Sequence, residues 1–264
     1  MSPLSPEALA ELAGAKRRLE HPSLAARLSD HVGSPIESMI QKLPEVAQRT
    51  IEQVTHRSLE KVADWAVITL DDRADSEMRL GFHKILAAAS GAVGGAAGLA
   101  GLAIELPVST GIMMRSILDI ARANGEDIRD VQVRLEALSV FALGGTSSDD
   151  DGAESGYFAA RMLLAKGVSE AAAHVAAGEI GQRGGAAILR LIGQIAARFS
   201  IPVSSKAAAQ AVPVIGALGG ATLNTLFIDH FQDMARGHFT VRRLERAHGE
   251  EAVREAWNQL GAGE

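Results

Sequence analysis

Four titratable residues crowd into ten positions of this chain: Asp229, His230, Asp233 and His238. On a helix, Asp229 and Asp233 fall one turn apart on one face, and His230 precedes Asp233 by three. Two carboxylates and an imidazole at that spacing could hold a divalent ion or exchange protons. The competing reading is a solvated helix surface with C-terminal capping contacts, and no HExxH accompanies the cluster. Glu105 is the other conspicuous group, the only charge between Ile85 and Met114. A carboxylate there must be paired, protonated or exposed at a helix junction. It stands two residues before Pro107, where it would meet the positive end of the following helix. Arg115 and Arg122 are its nearest cations in sequence. Glu105 is read either as a ligand or ion contact in a cleft, or as a helix-start charge or buried ion pair.

Other motifs carry less. Asp149-Asp150-Asp151-Gly152 lacks the alternating ligands and the final Glu of an EF-hand loop. Ser58-Leu59-Glu60-Lys61 matches SxxK without a companion KTG. No GxxxxGK[ST] occurs, so no phosphate loop is expected. The chain has no cysteine, which removes disulfides, thiolate catalysis and Cys-based zinc sites. Net charge is −6, and the one compact basic run, Val241–Arg246, contains a Glu, so no nucleic-acid partner is expected. No catalytic residue, metal site or cofactor is assigned.

The elements that must position these groups read as helices throughout. Hydrophobic content is 47%, supplied mainly by small and aliphatic residues, with aromatics at 4% and 27 glycines. No stretch alternates at strand period. The expectation is an all-α, multi-helix bundle with closely packed Gly/Ala-rich central helices. Ser5-Pro6-Glu7 caps a first helix, and Ser34-Pro35-Ile36-Glu37 has the form of a capping box. Pro44–Leu70 is amphipathic, with Ile51, Val54, Leu59, Val62, Trp65 and Leu70 as its stripe. A segment from Ser76 to Glu105 follows, and Pro107 is expected to open a helix ending at Asn124-Gly125. Further helices are expected over 130–143, 154–166, 169–177, 185–199, 204–212, 213–236, 240–248 and 250–260. Residues 1–33 read as an N-terminal helical extension, and 34–264 as one helical domain with a flexible acidic loop at 144–156.

Gly91 with Gly95, Gly94 with Gly98, and Gly216 with Gly220 repeat at i, i+4. Such strips let backbones approach, so the helices bearing them are expected to pack on each other, with Asn224 bonding across the interface. The uncharged stretches 85–104 and 207–228 are long enough to cross a bilayer. Their Gly/Ala dilution, missing aromatic belts and inconsistent charge flanks instead favour packed helices with peripheral or shallow membrane contact. The opening residues lack a signal-peptide h-region, which predicts a cytoplasmic location, peripheral on the inner face of the cell membrane.

PVIGALGGATLNTLFIDHFQDMARGHFTVRRLERAHG, Pro213–Gly249, resembles the EcsC family of bacterial proteins, as does ELPVSTGIMMRSILDIARANGEDIRD, Glu105–Asp130. The resemblance covers roughly residues 40–250 and leaves the first thirty outside. It implies a helical, cytoplasmic or membrane-associated protein linked to an ABC transporter or to secretion, because the family takes its name from a protein encoded beside an ABC transporter. It carries over no catalytic residue. Three functions are therefore set out: a non-enzymatic membrane-proximal accessory protein whose partner is a membrane surface or membrane protein; a small-ligand or metal-dependent enzyme built on Glu105 and the Asp229–His238 cluster; and an oligomeric membrane-active protein.

Overall fold

The computed structural model describes residues 4–20, 24–33, 35–68, 98–143, 156–178, 182–211 and 220–260. Within them the regular elements are all helical: α1 (Pro6–Glu20), α2 (Leu24–Val32), α3 (Ile36–Ile40), α4 (Glu45–Ile68), α5 (Gly98–Ala123), α6 (Val131–Leu143), α7 (Gly156–Ala176), α8 (Gln182–Gln210), α9 (Gly220–His248) and α10 (Glu250–Gln259). The protein is an all-α bundle. The long helices α5, α8 and α9 form its frame, with α4 laid against α5 and α8, α7 against α6 and α8, and α1 against α9.

Local chemistry explains several helix ends. Ser5 Oγ accepts the Ala8 N–H at 3.2 Å and starts α1. α5 stops where Gly125, at φ 81°, lets the Glu126 N–H return to the Ala121 carbonyl at 3.1 Å. Asp130 then starts α6, its carboxylate accepting the Gln132 N–H at 2.8 Å. Gly249, at φ 90°, turns the chain from α9 into α10. α3 departs from the expected capping box: Pro35 is its N-cap, and Ser29 from α2 accepts the Ile36 N–H at 3.0 Å instead. Ser34 lies outside the described residues.

Several expected breaks are absent. Pro107 does not open a helix but sits inside α5, and Pro202 sits inside α8. An internal proline costs about 3 kcal/mol, and burial on both sides offsets it. Leu102, Leu106 and Met113 flank Pro107 in the core, as Phe199 and Val203 flank Pro202. Gly167 and Gly237 likewise lie within continuous helices, so the expected helices ending at 166 and 236 run on into those expected from 169 and 240, while residues 154–155 and 213–219 lie outside the described residues. At both, a helix crosses closely. A Cβ at Gly237 would lie 2.6 Å from Leu19 Cγ and 3.1 Å from the Ala15 carbonyl, and one at Gly167 would meet Gln194 Oε1 at 2.9 Å. Of the glycines expected to do this work, Gly98 and Gly220 begin α5 and α9, while Gly91, Gly94, Gly95 and Gly216 lie outside the described residues. So do most of Ser76–Glu105 and residues 144–155 of the acidic loop.

The core is continuous. α1 contributes the buried Leu12, Ala15 and Leu19 to it, so residues 6–20 pack into the bundle. The stripe of α4 is buried at Ile51, Val54, Leu59 and Val62. Although aromatics are few, Phe141, Phe199, Phe227 and Phe231 converge from α6, α8 and α9, with Phe141–Phe199 and Phe199–Phe231 centroids 4.9 and 5.3 Å apart. Edge and tilted contacts of this kind add about 0.5–1.5 kcal/mol per pair to simple burial.

Candidate functional site

Two buried polar centres hang on this frame. The first joins α5, α8 and α9. Lys206, on the turn after Pro202, is wholly buried, and its ammonium donates to Glu105 Oε1 at 2.6 Å and to Asn224 Oδ1 at 3.0 Å. Gln210, one turn further along α8, donates to Glu105 Oε2 at 3.0 Å. The ammonium also stands 4.6 Å from the Phe227 ring centroid. Burial pulls Lys206 below its ordinary pKa, and the Glu105 carboxylate opposes that pull. Glu105 therefore sits in the middle of α5 rather than at a helix start, and its cation comes from α8 rather than from Arg115 or Arg122. Asn224 bonds across the α8–α9 interface. The ammonium is held by a carboxylate, an amide and a ring face, an arrangement suited to tying three helices together.

The second centre joins α6, α7 and α9 around His238. Its Nδ1 lies 3.0 Å from the Tyr157 hydroxyl. Its Nε2 faces Glu136 Oε2 across 3.7 Å, too far for a hydrogen bond, and is otherwise unpartnered. Arg242 spans Glu126 at 2.8 Å and Glu136 at 3.2 Å. Arg161 grips Glu245 with two bonds of 2.7 Å, and Arg246 also reaches Glu126. Burial holds His238 below its ordinary pKa, with Glu136 pulling the other way. Burial would raise Glu136, but the facing His238, Arg242 and Arg161 outweigh it and keep the carboxyl below its usual range. Glu126 behaves alike, burial being outweighed by Arg242 and Arg246. The Tyr157 phenol is pushed upward by burial and stays protonated.

The remaining residues singled out by spacing do not assemble. Asp229 is exposed. His230 is buried on another side of α9, its ring edge-on to Phe231 at 5.1 Å. Asp233 pairs with Arg27 of α2 at 3.1 Å and with Arg236 at 3.2 Å. Arg115 lies 3.9 Å from Asp119 on its own helix. Among the described residues, no three His, Asp or Glu side chains are grouped so as to hold a metal ion. Ser58 of the SxxK match is buried and donates to the Val54 carbonyl at 2.6 Å. A groove of about 320 Å³ between α4 and α5 is lined by Val54, Arg57, Glu60, Lys61, Asp64, Ala103 and Pro107, with mixed charge along its rim.

Lys206, Tyr157, Glu136 and Arg161 escaped the sequence reading because their partners are remote in the chain; Lys206 meets Glu105 across a separation of 101 positions. One signal was available. Lys206 is the only charged residue between Arg198 and Asp229, a counterpart to the isolated Glu105.

The model of the EcsC protein family matches residues 7–244. The match thus begins well before residue 40 and takes in the N-terminal helix. Neither the curated proteins nor the solved structures contain a match to the chain.

Proposed function

We propose that this chain, which belongs to the EcsC protein family, is a non-enzymatic accessory protein working at the cytoplasmic face of a membrane. It is held there by shallow contact, in the service of a transport or secretion partner such as an ABC transporter. One observation carries this reading. α5 and α8 contain segments apolar and long enough for a membrane, Gly101–Ala123 and Gly184–Gln210; their most apolar 18-residue stretches have mean hydropathy 1.2 and 1.4, yet only 39% and 44% of those stretches is buried. Part of their apolar surface therefore faces outward, including Ile104, Leu189 and Ile201. Full burial of an exposed side chain of this size is worth about 1.5–3 kcal/mol, and the exposed part of these three supplies a fraction of that each towards reversible attachment.

The two polar centres support an accessory role rather than catalysis. Lys206 and Glu105 are engaged with protein groups, and the charges around His238 are engaged with one another. A membrane span is disfavoured because α5 also bears Arg115, Asp119 and Arg122, and because the Glu105–Lys206 tie holds α5 on α8 inside the bundle.

Flotation with phosphatidylcholine–phosphatidylglycerol vesicles tests the reading. The protein should float, be released by carbonate at high pH, and lose most of its binding when Ile104, Leu189 and Ile201 are replaced together by Ser. Failure of the parent protein to float, or flotation that resists carbonate, overturns it.

A further inference from the structure

We propose that the groove between α4 and α5 takes one phosphatidylethanolamine headgroup, with its phosphate on Arg57 and Lys61 and its ammonium on Asp64 and Glu60. The proposal rests on the membrane-attachment reading for the source of the lipid and deepens it by naming the headgroup.

The two walls of the groove differ in kind. All four charges belong to α4, whereas α5 contributes only Ala103 and Pro107. The charges sum to zero, but like signs stand together. Arg57 and Lys61 are one helical turn apart, and so are Glu60 and Asp64. Like charges at that spacing destabilise a helix. The opposite charges three apart, Arg57 with Glu60 and Lys61 with Asp64, form no ion pair among the described residues. Glu60 instead faces His56 at 3.3 Å. Arg57, Lys61 and Asp64 are exposed and, among the described residues, have neither an ion pair nor a hydrogen bond.

The cationic and anionic pairs are offset along α4 by three residues, about 4.5 Å at 1.5 Å per residue. That offset fits a single ligand whose anion and cation are joined by a short bridge, and a phosphate linked through two carbons to an ammonium has this form. Arginine with lysine suits the phosphate, and two carboxylates suit an ammonium that carries N–H donors. α5 supplies a further acceptor. Pro107 has no N–H, so the Ala103 carbonyl lacks the helical donor expected four residues on, and both residues line the groove. A primary ammonium can donate to that carbonyl; the quaternary nitrogen of choline cannot. The volume of about 320 Å³ lies within the range of small-ligand clefts, about 300–1,000 Å³. Ile104, next to Ala103 in the chain and 70% exposed, offers an apolar surface to the acyl chains.

Calorimetric titration of the whole protein with dihexanoylphosphatidylethanolamine, below its micelle concentration, reads the site without a membrane. This lipid should bind about fivefold more tightly than its choline and glycerol counterparts. Free phosphoethanolamine, lacking acyl chains, should bind more weakly than the lipid. D64N and K61M should each weaken binding by about two- to fivefold, the range of an exposed charge pair. D64K should turn the preference towards the glycerol lipid, whose headgroup is an anion alone. Equal binding of the ethanolamine and choline lipids, a glycerol lipid bound as tightly as either, free phosphoethanolamine bound as tightly as the lipid, or unchanged binding in D64N and K61M overturns the proposal. Flotation of the same protein separates this site from the attachment reading. Flotation without headgroup preference in solution overturns the site alone, and headgroup preference in solution without flotation overturns the attachment alone.

Discussion

Gly237→Ala puts a methyl group into a tight crossing of α9 with α1, and two effects of known sign compete there. Alanine favours a helix interior over glycine by about 1 kcal/mol. Against this, the new Cβ would lie 2.6 Å from Leu19 Cγ and 3.1 Å from both the Ala15 carbonyl oxygen and Leu19 Cδ1. Neither neighbour yields easily. Ala15 O is backbone, and Leu19 Cγ is one bond from its own Cβ, so α1 must shift as a body. Overpacking of this kind costs about 1–3 kcal/mol, which leaves a net loss of up to about 2 kcal/mol. Gly193, inside α8, supplies the control, because a Cβ there meets nothing within 4 Å. Gly193→Ala should gain up to about 1 kcal/mol. The propensity terms cancel between the two variants, so their stability difference isolates the packing term at about 1–3 kcal/mol. Urea unfolding followed by far-UV circular dichroism measures it, provided the slopes agree. Leu19→Ala in the Gly237→Ala background should cost less than it does alone, since it vacates the contested space. Equal stability of the two glycine variants would refute the argument.

Replacing Lys206 with Met removes the cation from Glu105. Breaking a buried pair costs about 3–5 kcal/mol, and the partial exposure of Glu105 places the loss at the lower end; K206M with E105Q should recover part of it in a double-mutant cycle. Glu126 and Glu136 both ionise more readily in the folded protein, so the stability they supply is present above the ordinary value of 4.5 and lost as pH falls. E126Q should flatten acid unfolding in that window. Lys16→Met deprives the Trp257 and Leu260 carbonyls of their charged donor. It should cost about 1.5–3 kcal/mol and shift Trp257 emission in the native state.

Short-range chemistry made the helices legible. The hydroxyl of Ser5, the carboxylate of Asp130 and the positive φ of Gly125 act within a few residues, and each marks its helix end in the structure. The breaks misplaced at Pro107, Gly167, Pro202 and Gly237 share a different cause. Local preference disfavours a helix at all four, but core contacts from other helices hold it together. A sequence window does not contain those contacts. The polar centres divide in the same way. Glu105 stood out because uncharged residues surround it, which marks it as needing a partner without naming one. The crowding of Asp229, His230, Asp233 and His238 misled because nearness along a helix is not nearness in space. Asp229 faces outward, His230 lies against Phe231, Asp233 pairs with α2, and His238 turns toward α6 and α7.

The bond from Lys16 to the Trp257 carbonyl spans 241 positions of the chain, and that distance sets a timetable for synthesis. At about 5–20 residues per second, α10 follows α1 from the ribosome by on the order of ten to fifty seconds. Until α9 and α10 emerge, Leu12, Ala15 and Leu19 lack most of the native surface that covers them. α1 is thus made long before it docks, and for that interval its apolar face is open to chaperones and to neighbouring nascent chains.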